Sequence, residues 1–87
     1  MDTMKLSLPQ KELLLAIANG NFLKSHRDTD GNKVFQLHPL EGEAQAVRRE
    51  TVEALADLGL INSNQKFPAA TFWLTENGKT VAAKMKL

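Results

Sequence analysis

The spacing of apolar and polar residues predicts a helix near the start of the chain. At about residues 8–19, leucine, isoleucine and alanine recur at helical intervals. Ser7 can accept a hydrogen bond from the first turn, and Gln10 stands three residues later, which is the pattern of a capping box. Gly20 then supplies the left-handed conformation that commonly ends a helix. We therefore expect the first helix here.

A β-hairpin is expected next. The segments at residues 22–26 and 33–37 are short and rich in β-forming residues. An Asp-Gly dipeptide at residues 30–31 lies between them, and this dipeptide is a strong hairpin signal. If the dipeptide forms the centre of the turn, His26 lies opposite Phe35.

The middle of the chain predicts a second helix, from Glu43 to Leu58. Apolar or small side chains share one face of its helical wheel. These residues are Ala44, Val47, Thr51, Ala54, Leu55 and Leu58. Gly59 is expected to end the helix.

A second hairpin and a third helix complete the predicted pattern. A strand begins at Leu60, a polar turn covers residues 62–69, and residues 70–74 form the returning strand. Residues 76–86 then form the last helix, with Thr75 as its cap. The order helix, hairpin, helix, hairpin, helix predicts one α+β domain over residues 1–87.

Two segments of the second half resemble the winged helix-turn-helix superfamily of small bacterial proteins. Residues 51–61, TVEALADLGLI, are similar to the end of a recognition helix that runs into a wing. Residues 72–78, FWLTENG, are similar to the returning wing strand and its exit. The resemblance implies a winged-helix-like fold and binding of double-stranded DNA by a small transcriptional regulator, of bacterial or mobile-element type, that blocks access to an operator.

The candidate DNA-binding residues follow from this resemblance. Recognition helices contact base edges with their N-terminal residues, and arginine can pair with both acceptors of a guanine. The candidates on the predicted second helix, on the side away from the core stripe, are Gln45, Arg48, Arg49 and Val52. The wing adds Lys66, and the last helix adds Lys79. The alternative for the helix is a solvated face on which Arg49 and Glu53 form an ion pair.

The charge pattern leaves the nature of the partner open. The net charge of the chain is only +1. Residues 41–58 have two basic and five acidic residues, a net charge of −3, whereas residues 59–87 have four basic and one acidic, a net charge of +3. Acidic groups beside the candidate arginines repel phosphates, but the basic wing and tail favour a nucleic acid.

A protein-binding module is therefore the second hypothesis. The chain is also similar to a small bacterial family described as topoisomerase-inhibiting toxins, through Leu6, Ser7, Leu14, Ala18, Gly20, Arg27, Asp28, Gly31, Leu60 and Ile61. That resemblance implies a partner protein such as DNA gyrase. An exposed apolar patch would mark the interface, which in a homodimer joins two copies of the chain. Its candidate residues are Phe67, Trp73, Met85 and Leu87.

Other chemistries find little support in the residues. The chain has no cysteine and two histidines, His26 and His38, too few ligands for a structural zinc site. A calcium loop beginning at Asp28 would need glycine and glutamate where Lys33 and Pro39 stand. We find no catalytic motif, and expect neither an enzyme nor a cofactor. The absence of a signal peptide or membrane-spanning run leads us to expect a cytoplasmic protein.

Overall fold

The computed structural model describes residues 6–64 and 69–85. Within these ranges, three helices and five strands follow one another in the order α–β–β–β–α–β–β–α. The helices are α1 Leu8–Ala18, α2 Arg49–Asp57 and α3 Glu76–Met85. The strands are β1 Phe22–Arg27, β2 Lys33–His38, β3 Gln45–Val47, β4 Ile61–Ser63 and β5 Ala70–Leu74.

The five strands form one antiparallel sheet in the spatial order β3-β2-β1-β5-β4. Both predicted strand pairs are present, since β1 pairs with β2 and β4 pairs with β5. However, β1 also pairs with β5, which places Leu23 opposite Phe72 and joins the two hairpins. The predicted winged-helix-like order of helix, hairpin, helix, hairpin, helix is wrong, because a third strand, β3, precedes α2 and all five strands belong to one sheet. Alternating side chains identify local hairpins but do not show which distant strands pair.

The segment before α2 is extended, which corrects the predicted helix at residues 43–58. Gln45–Val47 forms the edge strand β3, in which Val47 pairs with Phe35 of β2. The half-buried Val47 side chain packs against the core from this position. The position of Val47 is compatible both with the apolar stripe of a longer helix and with an edge strand. Its spacing from the apolar residues of α2 therefore did not distinguish a helix from a strand.

The start of the chain follows the prediction closely. The backbone N–H of Gln10 donates to Ser7 Oγ at 3.3 Å, and the backbone N–H of Ser7 donates to Gln10 Oε1 at 3.0 Å. This reciprocal pair is the expected capping box, and it starts α1 at Leu8. Gly20 has a φ of 103° after the helix ends, as expected for a residue that reverses the chain.

The first hairpin is confirmed, but its register differs from the expected one. Arg27 pairs with Lys33, so five residues connect the strands and His26 lies opposite Val34 instead of Phe35. Asp28 determines this longer turn, because its Oδ1 accepts hydrogen bonds from the backbone N–H groups of Asp30 and Asn32, both at 2.9 Å. The one-residue shift places Phe35 on the buried face of the sheet.

The helices cover one face of the sheet and enclose the hydrophobic core. Every helix contributes to the core, together with alternate residues of the strands. The buried apolar side chains are Leu6, Leu13, Leu14, Leu23, Phe35, Val52, Leu55, Leu60, Ile61, Ala70 and Ala82. Leu58, expected in the core stripe of the second helix, is 41% exposed, because α2 has ended before it.

Candidate functional site

The predicted recognition face does not form on α2. Gln45 lies in β3 and Arg48 is the residue that precedes the first turn of α2. Val52, placed on the DNA-facing side by the sequence, is only 1% exposed and belongs to the core. Val52 lies three residues before Leu55, so these two residues share the buried face of α2 together with Thr51.

The predicted cations also have acidic neighbours. Arg49 Nε lies 3.7 Å from Glu53 Oε2, which is the ion pair considered as the alternative. Arg48 lines a groove together with Glu12 and Glu50.

Lys79 lies on another part of the surface. Its Nζ is 3.7 Å from Glu76 Oε2. It lines a second groove, which shares no lining residue with the groove of Arg48. Among the described residues, the predicted DNA-binding cations Arg48 and Lys79 therefore line separate grooves. Three of the predicted site residues, Lys66, Phe67 and Leu87, lie outside the described residues.

Two of the four residues predicted for a protein interface, Trp73 and Met85, lie among the described residues. Trp73 is 45% exposed, whereas Met85 is half-buried and packs against the core. The exposure of Trp73 follows from strand alternation, because Phe72 and Leu74 point to the helices.

The face of the sheet that the three described helices leave uncovered is the main candidate surface. Alternate residues of β1 and β5 point away from the helices, and among them are Phe22, 52% exposed, and Trp73. Leu23 of β1 pairs with Phe72 of β5. One position further along this antiparallel pair, Phe22 and Trp73 lie opposite each other. His38 lies opposite Phe22 on β2, and Asn62 lies opposite Trp73 on β4. This set, His38-Phe22-Trp73-Asn62, we call the aromatic row.

Polar side chains occupy the next row on the same face. Lys24 of β1 lies between Gln36 of β2 and Thr71 of β5. The side chain of Lys24 is exposed, and those of Gln36 and Thr71 are half-buried. The second row therefore places one cation, an amide and a hydroxyl beside the aromatic row.

The charged side chains on the described strands are lysine and arginine, and none is acidic. None of the five described strands contains aspartate or glutamate, whereas Lys24, Arg27 and Lys33 all lie on strands. The acidic residues of the described chain lie on helices and in connecting segments. A polyanion that approaches the open face of the sheet therefore meets no carboxylate on the strands.

An apolar groove adjoins one end of the aromatic row. It has a volume of about 560 Å³ and lies where α1 leads into β1 and β5 leads into α3. Phe22 and Trp73 line it, and Lys79 provides a cation. Leu40, 71% exposed, lies beside Gly20 at the same end of the sheet. Phe22, Leu40 and Trp73 are thus exposed apolar side chains at this end of the sheet.

The sequence identified only part of this surface. The sequence singled out Trp73 but not Phe22. In β1 the buried residues Leu23 and Ser25 alternate with the exposed residues Phe22 and Lys24. The same alternation argument, applied to β1, would have placed Phe22 on the open face. The proximity of Phe22 to Trp73 depends on the pairing of β1 with β5, which no local pattern predicts.

Similarity to known proteins, metal ligands and membrane-spanning helices provide no further indication of function among the described residues. Comparisons with protein families, with curated proteins and with solved structures found no match. Among residues 6–64 and 69–85 there is no group of three or more His, Cys, Asp or Glu side chains able to hold a metal ion. No helix in these two ranges is long and apolar enough to cross a membrane.

Proposed function

We propose that this protein is a cytoplasmic nucleic-acid-binding module that acts as a regulator by occupying its target. Its contact surface is the open face of the sheet. The observation that supports this proposal is the exposed pair Phe22 and Trp73 on strands without a carboxylate. Aromatic side chains provide stacking surfaces for bases, and a surface without carboxylates avoids repulsion of phosphates.

This surface replaces the helix as the expected contact site. Arg49 on α2 is already paired with Glu53, and Arg48, which precedes α2, lines a groove together with Glu12 and Glu50. Phosphates near α2 would meet these acidic groups, which weakens binding. The open face has Lys24 beside the aromatic row and no such competition among its strand residues.

Fluorescence anisotropy with labelled mixed-sequence oligonucleotides, single-stranded and duplex, tests the proposal. We expect binding at low salt that weakens as salt increases, because phosphate contacts release counterions. The double variant Phe22→Ala/Trp73→Ala should weaken binding. The matched control Arg48→Ala/Arg49→Ala, which also removes two exposed side chains, should bind as the wild type does.

Two results would contradict the proposal in different ways. If the arginine variant weakens binding and the aromatic variant does not, the contact surface lies on α2. If neither oligonucleotide binds at concentrations up to about 100 µM, the weak end of non-specific affinity, the protein does not bind nucleic acid.

A protein-binding module is the second candidate, and the exposure of Leu40 favours it. Exposed aliphatic and aromatic side chains at one end of a sheet are typical of the apolar centre of a protein interface. The adjoining groove of about 560 Å³ would accept an apolar side chain of the partner. The resemblance to topoisomerase-inhibiting toxins makes DNA gyrase the first partner to test.

A supercoiling assay with purified DNA gyrase tests this second candidate. If gyrase is the partner, the protein inhibits supercoiling, and Leu40→Asp abolishes inhibition by placing a charge in the interface. Glu43→Ala, a change at an exposed position in the same connection between β2 and β3, is the matched control and should inhibit fully. Absence of inhibition by the wild-type protein would exclude gyrase.

A further inference from the structure

We infer that the open face of the sheet binds single-stranded RNA, with unpaired bases stacked on Phe22 and Trp73. This inference rests on the proposed nucleic-acid binding and specifies its ligand. The juxtaposition that supports it is the aromatic row beside the second row of Gln36, Lys24 and Thr71.

The aromatic row selects unpaired bases. Residues in neighbouring positions of adjacent strands have Cβ atoms about 5 Å apart, so Phe22 and Trp73 present two rings side by side. Both side chains are about half exposed, in contrast to Phe35 and Phe72 on the covered face, whose ring centroids lie 5.9 Å apart. Bases within a duplex are stacked on each other and offer only their edges in the grooves, so these rings cannot stack on them. Unpaired bases leave their faces free for such stacking.

The charges of the face fit a single strand better than a duplex. Lys24 is the only lysine or arginine on the open face among the described strand residues. A duplex places two closely spaced rows of phosphates against a protein and is normally bound through many cations. A single strand can be held by base stacking with few phosphate contacts. We therefore expect weak salt dependence, with a slope of log K against log salt of about −0.7 for each phosphate that is contacted.

The polar side chains of the two rows other than Lys24 favour RNA over DNA. The two rows contain an amide in Gln36 and Asn62, a hydroxyl in Thr71 and an imidazole in His38. Such groups bind base edges and ribose hydroxyls through hydrogen bonds. In RNA every nucleotide has a 2′-hydroxyl that both donates and accepts, whereas DNA lacks this group. The same strand of RNA should therefore bind more tightly than its DNA counterpart.

The test compares three ligands of one mixed sequence about 12 nucleotides long, within the usual site size of single-strand binders. They are the RNA strand, the DNA strand and the RNA strand annealed to its complement. Anisotropy of an end label gives the affinity of each. We expect the RNA strand to bind most tightly and the annealed RNA least tightly.

Two substitutions of Trp73 separate stacking from folding. Trp73→Ala should weaken RNA binding about 5- to 150-fold, the factor that corresponds to a stacking free energy of about 1–3 kcal/mol. Trp73→Phe retains an aromatic ring and should keep most of the affinity. Circular dichroism establishes that both variants are folded. Lys24→Ala should reduce the magnitude of the salt slope by about 0.7, because one phosphate contact is lost.

The possible failures are distinguishable from one another. Annealed RNA or the DNA strand binding as tightly as the RNA strand would overturn the inference and leave nucleic-acid binding intact. A folded Trp73→Ala variant with unchanged affinity would also overturn it. If neither these ligands nor duplex DNA binds, the proposed function fails as well, and inhibition of gyrase that depends on Leu40 would identify the face as a protein-binding surface.

Discussion

The backbone carbonyl oxygen of Leu60 lies where a Cβ atom on Gly78 would clash with it. Gly78 is in the first turn of α3, and Leu60 immediately precedes β4. The same carbonyl accepts a hydrogen bond from the backbone N–H of Thr75 at 3.0 Å. Because this bond holds the carbonyl in place, α3 can approach the start of β4 only with glycine at position 78.

Gly78→Ala should therefore destabilise the protein. Alanine is the better helix former by about 1 kcal/mol, but overpacking of a buried contact typically costs about 1–3 kcal/mol and here involves rigid backbone. We expect a net loss of about 1–2 kcal/mol in the free energy of unfolding, measured by urea denaturation. Asn77→Ala, an exposed change in the same turn, is the control and should have little effect. Equal stability of the Gly78→Ala protein would show that α3 can move away from Leu60.

Thr75 should contribute to stability through its hydroxyl group. Its Oγ1 accepts a hydrogen bond from the backbone N–H of Gly78 at 3.0 Å and donates one to the carbonyl oxygen of Gly59. Thr75→Ala removes both bonds, and loss of such a helix cap costs about 1 kcal/mol. Thr75→Ser retains the hydroxyl group and should restore most of the stability in urea denaturation. If serine and alanine destabilise the protein equally, the methyl group of Thr75 is the important part.

Local signals predicted the parts of the fold in which neighbouring residues determine the structure. The capping box of Ser7 and Gln10, the cap at Thr75 and the first hairpin all depend on interactions within a few residues, and all three are present. The predicted register of the first hairpin was wrong by one residue, because Asp28 accepts two backbone hydrogen bonds and lengthens the turn.

Tertiary pairing explains what the sequence did not predict. Val47 satisfies either a helical stripe or an edge strand, and its pairing with Phe35 decides between them. The assignment of Val52 to a DNA-binding face was wrong because the predicted stripe included Val47, which belongs to β3, whereas Thr51, Val52 and Leu55 form the buried face of α2. The proximity of Phe22 to Trp73 likewise results from contact between residues about fifty positions apart.

Stability measurements on the predicted recognition residues should separate the core from the surface. Val52 is 1% exposed, so Val52→Ala should lower the free energy of unfolding by about 2 kcal/mol, as expected for methyl groups removed from a packed core. Gln45→Ala, at an exposed edge position, should change it by less than about 0.5 kcal/mol. Similar small effects of both changes in urea denaturation would contradict the structure of α2 and restore the recognition-face hypothesis.

Trp73 is the only tryptophan in the chain and reports directly on the open face of the sheet. Since its side chain is 45% exposed, acrylamide should quench its fluorescence readily in the free protein, and the quenching should not depend on protein concentration. Single-stranded RNA bound on the aromatic row should reduce acrylamide quenching, because a stacked base covers the indole ring. Phe22→Ala is the control, as it should leave quenching in the free protein high while weakening the protection by RNA. Protection of Trp73 that instead increases with protein concentration, without RNA, would show that a second copy of the chain covers this face.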